Sequence, residues 1–348
     1  MSFWRALLRG AGLTRSAEVE PADVTSQDSS DRTERLEERE ADSGFHRAAV
    51  PEQVPASAAG VPAGGIPALP KRTTRSAGAA SEQGSDSRTP SPGMRAAALE
   101  RTLQSLVERL GTEHPDTITA RNNLATKYAQ MGRRQAAVQQ FELALDEAVA
   151  VYGEEHPRTE IIRENLAWAF EDAGRPADAA GQWEILLGQR ESQFGAADED
   201  TVEARMRLAV CYRRSGRVDA SVAHYERAIE DVASTQRREE LRLGLSAAQS
   251  MAGRYEEAIS QLRMVLSARR RRLGKGHLDT LAVHHRLGRA HTQAGRADEA
   301  VEVLREAYRV ALNSSGDPEV RRLTLRLRRD LAGAYNAAGR HREADALL

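Results

Sequence analysis

The sequence holds a single cysteine, Cys211, among 348 residues. No disulfide can form within the chain, and a lone thiol suits a reducing compartment, so a cytoplasmic protein is expected. Aromatic residues are only 4% of the chain, too few for one large core even though 40% of the residues are apolar. Long apolar runs are missing too. The early cluster of Phe3, Trp4, Leu7 and Leu8 is broken by Arg5 and falls far short of the ~20 residues of a spanning helix, so neither a membrane anchor nor a signal peptide is expected there. There is no charge excess of either sign. Formal net charge is -1, and a division at Gly93 leaves 11 basic and 13 acidic residues before it and 39 and 38 after it. That balance argues against nucleic acid as a partner. Lysine is scarce, with only Lys71, Lys127 and Lys275 among 50 basic residues, an arginine bias common in high-GC bacterial genomes.

Sequence signatures of chemistry are equally scarce. The chain has no GxxxxGK[ST], no GxGxxG after a strand, no GxSxG and no HExxH, so neither an enzyme nor a bound cofactor is expected. Gly274-Lys275-Gly276 has no strand before it to build a phosphate loop.

What the chain does contain divides in two. Residues 1–93 are rich in Pro, Ala, Gly and Ser and lack a sustained apolar period. Such a segment cannot bury enough surface to offset backbone ordering at ~1–2 kcal/mol per residue, so a disordered tail is expected. At its start Phe3/Leu7 and Trp4/Leu8 are i,i+4 pairs with Arg5 and Arg9 between them, giving a short basic amphipathic turn. Two readings stand for residues 1–10: a frayed terminus, or an element that docks on a partner or back onto this protein.

From residue 94 onward the sequence repeats. A Gly-Arg dipeptide recurs at Gly132, Gly174, Gly216, Gly253, Gly295 and Gly339, at spacings of 42, 42, 37, 42 and 44 residues. A repeat of this length is one supersecondary unit that buries its apolar face only by stacking on its neighbours. The glycine suits the turn between two antiparallel helices, because it takes the positive φ that ends a helix. Counting from each glycine, position -8 is always leucine (Leu124, Leu166, Leu208, Leu245, Leu287, Leu331), and with -12 and -1 it forms the expected buried stripe of the first helix. Position +5 is small (Ala137, Ala179, Ser221, Ala258, Ala300, Ala344) and +9 is large (Phe141, Trp183, Tyr225, Leu262, Leu304, Leu348), as close helix packing requires.

First helices start at His114, His156, Asp198, His277 and Asp317, positions that read as N-caps. The histidines around 277–291 then lose their appearance of a metal cluster. His277 is a cap, His291 takes an aromatic core position, and His284 takes the column of Arg121, Arg163 and Arg205, read as outward-facing; no metal is expected. Cys211 aligns with Ala169, Ala248, Ala290 and Ala334, a packing position. Residues 95–110 match a second helix without a first and read as an N-terminal capping helix. The fourth repeat is five residues short and has Gln249 where others have an aromatic; the weakest packing and any bending are expected there.

Leucine at -8, an aromatic at -4 (Tyr128, Phe170, Tyr212, Tyr335), Gly-Arg, alanine at +5 and a large residue at +9 resemble the tetratricopeptide repeat. The 42-residue period with His-Pro-x-Thr at 114–117 and 156–159 and Asn-Leu-Ala at 123–125 and 165–167 is similar to its kinesin-light-chain-like version. The resemblance implies an all-α, right-handed α-solenoid over residues 94–348, with six helix pairs of which the last is truncated. It also implies a concave groove lined by first helices, which clasps a peptide segment of a partner protein. On positions -13, -9, -6 and -2 that groove carries Asn123 and Thr126, Asn165 and Trp168, Arg207 and Arg214, and Arg286 and Arg289. The asparagines can bond a peptide backbone, Trp168 offers a flat anchor, and the arginines suit carboxylates. For the arginines a solvated face in an arginine-rich chain stands beside acidic-peptide binding. Unlike the leucines, this stripe changes from repeat to repeat. The expected function is therefore a non-enzymatic scaffold, with a peptide-responsive sensor bending at repeat four as the alternative.

Overall fold

The computed structural model describes residues 92–314 and 316–347. The expected disordered tail and the amphipathic turn at residues 1–10 lie outside the described residues, as does Leu348. The described residues form thirteen α-helices and no strand: α1 (Pro92–Leu110), α2 (Pro115–Gln130), α3 (Arg134–Tyr152), α4 (Pro157–Asp172), α5 (Pro176–Phe194), α6 (Glu199–Arg214), α7 (Val218–Asp231), α8 (Thr235–Met251), α9 (Tyr255–Arg272), α10 (Leu278–Gln293), α11 (Ala297–Asn313), α12 (Pro318–Ala337) and α13 (His341–Asp345). Each packs on the next, and first helices of neighbouring repeats touch, most extensively α10 and α12. This is an all-α solenoid of helix pairs.

Local chemistry sets the boundaries of the first helices. His114, His156 and His277 accept a hydrogen bond at Nδ1 from the backbone N–H two residues on, at 3.2, 3.1 and 3.2 Å. Asp198 and Asp317 do the same with Oδ1 at 3.0 and 2.7 Å, so these side chains cap the orphan donors of the first turn. Between the helices of a pair, Gly132 takes φ 72° and its N–H bonds Ala129 O at 3.0 Å, while the Arg133 N–H bonds Tyr128 O at 2.9 Å. The pattern recurs after each first helix from α4 to α12 and is a Schellman cap. Residue -1 is consequently the C-cap: Met131, Ala173, Ser215, Ala252, Ala294 and Ala338 are only half-buried. Ala173, Ala294 and Ala338 still pack against the core from this position, so the stripe reaches the cap with partial burial.

The -8 leucines are 1–4% exposed, and the +5 residues are at or near 0%. Each fully buried leucine contributes roughly 1.5–3 kcal/mol. First helices serve two cores by two faces. In α6, Ala204, Leu208 and Cys211 join the core of the first two repeats, whereas Val202, Met206 and Ala209 join a core shared by the second helix of the third repeat and the first helix of the fourth.

Four members of the -11 column, expected to face outward, are buried, while Arg242 is half-buried and Arg328 exposed. Arg121, Arg163, Arg205 and His284 are 9, 4, 3 and 5% exposed. Arg121, Arg163 and Arg242 each donate to a glutamine nineteen residues on, Gln140, Gln182 and Gln261, at 3.3, 2.9 and 3.0 Å. Carboxylates complete the pairing: Arg121 with Glu147 at 2.8 Å, Arg163 with Glu154, and Arg205 with Glu191 and Asp231. Arginine is tolerated inside because its terminal donors meet carboxylates and glutamines; Arg163 Nε alone of these three side chains is buried without a partner among the described residues.

At the short fourth repeat, Ser234 supplies the cap of α8, accepting from the Arg237 N–H at 3.3 Å. Arg238 occupies the place of the repeat threonines and repeats their bond. Thr117 and Thr159 donate to the carbonyls of Gly111 and Gly153 at 2.8 Å, and Arg238 donates to Val232 O at 2.6 Å. Glu239 lies 2.8 Å from Arg272 and 3.6 Å from the buried Arg269, stitching α8 to α9.

Candidate partner-binding face

A helix turns 100° per residue, so -6 lies opposite the inward positions -4 and -8. The stripe that includes Thr126, Trp168 and Arg289 therefore turns away from the core within each pair. Its members differ widely in what they have left to offer. Asn165 is fully buried, and its Nδ2 donates to Asn122 Oδ1 at 3.0 Å, joining α2 to α4. Thr126 is half-buried and donates to its own helix at Asn122 O, at 2.9 Å. Asn123 is half-buried, and its Oδ1 accepts no hydrogen bond among the described residues.

Trp168 and Arg207 come together. The Trp168 ring stands edge-on to Trp183, with centroids 5.8 Å apart and planes at 85°, and the Arg207 guanidinium lies 4.2 Å above its centroid. Arg207 also donates from Nε to Glu203 at 2.8 Å, and Glu203 in turn pairs with Arg237. The flat anchor and one of the expected carboxylate binders thus occupy each other.

Towards the C-terminal end the stripe opens. Arg214 is half-buried and has no ion pair among the described residues. Met251, at the matching place one repeat on, is 56% exposed. Arg286 is half-buried, and Arg289 is 54% exposed, 4.0 Å from Asp330. Asp330 is itself held by His285 Nε2 at 2.7 Å. Burial raises the Asp330 carboxyl, but the hydrogen bond and charge of His285, with Arg289 and Arg329, outweigh it and hold the group below its usual value.

Not every variable position is free of packing. At Gly244 an added Cβ would fall 2.4 Å from the Tyr225 ring, so glycine there admits a neighbouring side chain and packing dictates the choice. The sequence reading also passed over the arginine after every turn glycine. Arg133, Arg175, Arg217 and Arg340 lie 5.7, 4.5, 4.1 and 4.8 Å above the -4 aromatic ring of their own repeat, a cation–π lid on the turn. Its signal was the Gly-Arg dipeptide itself. Beneath the lid, burial and the Glu184 hydrogen bond, 2.5 Å long, push the Tyr212 hydroxyl up to about 12.

Two family profiles, both described as tetratricopeptide repeat, match this chain, one over residues 97–147 and 237–313 and the other over 164–236. Together they span more than half of it. The chain belongs to the tetratricopeptide repeat family. Among solved structures it is similar to nearly identical tetratricopeptide-like repeats of kinesin-light-chain type from Podosopora anserina, at 23% identity and a TM-score of 0.52, covering 59% of this chain and 100% of that one. A single-substitution form of those same repeats gives 23% and 0.52 over 59% and 99%. BtubC (BKLC) from P. vanneervenii is 16% identical with a TM-score of 0.36, covering 75% of this chain and 89% of that one. No curated protein matches the chain. Among the described residues of this tetratricopeptide solenoid no helix is long and apolar enough to cross a membrane, and no three His, Cys, Asp or Glu side chains are placed to hold a metal ion.

Proposed function

We propose that this chain is a non-enzymatic, cytoplasmic protein-interaction scaffold that takes a peptide segment of a partner protein along its first helices, at the C-terminal half of the variable stripe. The observation that carries this reading is the contrast within that stripe. Asn165, Trp168 and Arg207 are committed to neighbouring repeats, whereas Arg289 is 54% exposed, Met251 is 56% exposed and Arg214 has no ion pair among the described residues. Two cations flanking a soft apolar side chain complement a segment that carries carboxylates around an apolar residue.

The test is affinity capture from native cells with the full chain against Arg214→Glu with Arg289→Glu, compared by quantitative mass spectrometry. A partner depleted at least tenfold by the double variant supports the reading. Equal capture by both proteins, with both equally helical, removes it.

A further inference from the structure

At the fifth repeat the charge pairing of the -11 column is inverted. Arg163 meets Glu154 and Arg205 meets Glu191, and these carboxylates stand 22 and 17 residues after the turn glycines Gly132 and Gly174. The same two places after Gly253 hold cations, Lys275 and Arg270. In the column itself His284 replaces the arginine. Its own second helix, α11, sets Val303 and Val310 where α3 sets Gln140 and Glu147 against Arg121. His284 is thus 5% exposed, with Nδ1 buried and no hydrogen-bond partner for it among the described residues. Arg270 Nε is buried without a partner there as well. Buried polar atoms left open in this way call for an explanation.

These groups lie together. An added Cβ at Gly276 would fall 2.5 Å from Ser314 Oγ, so the loop that carries Lys275 closes against the end of α11. Arg270 stands 3.8 Å from Glu306, and Arg309 donates to Glu306 at 2.8 Å. The Arg309 hydrogen bond and the charges of Arg309, Arg270 and Lys275 outweigh burial and hold the Glu306 carboxyl below its usual value. Burial, then Arg270 and Lys275, keep the His284 ring neutral. Lys275 is exposed and has no ion pair among the described residues. Arg270, Lys275 and Arg309 against the one carboxylate of Glu306 leave two positive charges. A phosphate monoester, with a charge of about -1.5 to -2 at neutral pH, is the complement. We infer that Arg270, Lys275, Arg309 and His284 form a binding site for a phosphate-type dianion, the three cations donating to its oxygens and the imidazole serving as a further donor. Guanidinium forks match such oxygens in geometry as well as charge. Side chains build this site, not the backbone of a glycine-rich loop.

The experiment is isothermal titration of the full chain with inorganic phosphate, O-phosphoserine and serine at constant ionic strength, which holds general screening fixed. The parent is expected to bind inorganic phosphate saturably at one site and serine not at all. Lys275→Glu restores the carboxylate that Glu154 supplies at its own junction and should weaken phosphate binding at least tenfold. Arg309→Gln, at a position 73% exposed, should weaken it several-fold. Arg101→Glu on α1, an equal change of charge at a distant exposed position, should leave it unchanged. Circular dichroism checks that each variant folds; if Lys275→Glu does not, Arg309→Gln decides. Binding of O-phosphoserine as well assigns the source to a phosphorylated side chain, and binding of inorganic phosphate alone to the free ion; either supports the inference. No saturable binding by the parent, undiminished binding in a folded Lys275→Glu or Arg309→Gln, or an equal loss in Arg101→Glu overturns it. Because α9 and α11 are second helices, none of these outcomes bears on partner capture along the variable stripe.

Discussion

The guanidinium of Arg207 lies 4.2 Å from the centre of the Trp168 ring, so a side chain of the third repeat closes over one of the second. Such a contact is worth about 0.5–2 kcal/mol, depending on how far water is excluded. A double-mutant cycle with Arg207→Ala and Trp168→Ala should return a coupling energy of that size in urea unfolding. A coupling near zero would leave Trp168 available as an anchor for a partner.

The two glycines of the variable stripe should respond in opposite ways to alanine. Gly244→Ala sets a Cβ 2.4 Å from the Tyr225 ring, and the overpacking costs about 1–3 kcal/mol, more than the helix propensity returns. Gly333→Ala meets no atom within 4 Å and should gain up to about 1 kcal/mol. Thermal melts of the pair decide the matter: one midpoint falls, the other rises.

Acid should loosen the fifth repeat. Burial, reinforced by Arg270 and Lys275 and opposed by Glu306, lowers His284 to about 4, and burial also lowers His291 on the same helix. A histidine held neutral in the fold contributes its full stability above the unfolded value of about 6.5 and loses it as the pH falls from there towards 4. The share of His284 is on the order of 3 kcal/mol. Unfolding free energies measured from pH 7.5 to 4.5 should drop steeply in the parent, and less steeply in His284→Asn.

Arg190 is 6% exposed between Glu160 at 2.9 Å and Glu164 at 2.6 Å. Arg190→Met leaves two carboxylates facing one another and should destabilise the chain by about 3–5 kcal/mol at neutral pH. Denaturant titration of that variant at pH 7 and pH 4 provides the check, because protonating the glutamates should recover part of the loss.

Positions where every repeat makes the same choice were legible in the sequence. The leucines at -8, the small residues at +5 and the capping His and Asp each answer to packing or hydrogen bonding inside one helix pair, so a single repeat displays the reason. What stayed hidden depends on partners in other helices. Arg121, Arg163 and Arg205 read as solvated because arginine usually is, and only the carboxylates and the glutamine at +8 show why burial is tolerated. The contacts of two expected binding residues stayed hidden for the same reason: Asn122, the partner of Asn165, lies 43 residues away, and Trp168, under Arg207, belongs to the first helix of the preceding repeat. Arg214 and Arg289, with fewer neighbours to claim them, kept the exposure the spacing suggested.

The rung between Asn122 and Asn165, and its counterpart between His285 and Asp330, give the first and last junctions different locks. Neighbouring modules are therefore not interchangeable bricks. Moving the second repeat behind the fifth would set Asn165 against His285, and shuffled arrays should assemble less cooperatively than the native order. The succession of the repeats is itself written into the side chains that join them.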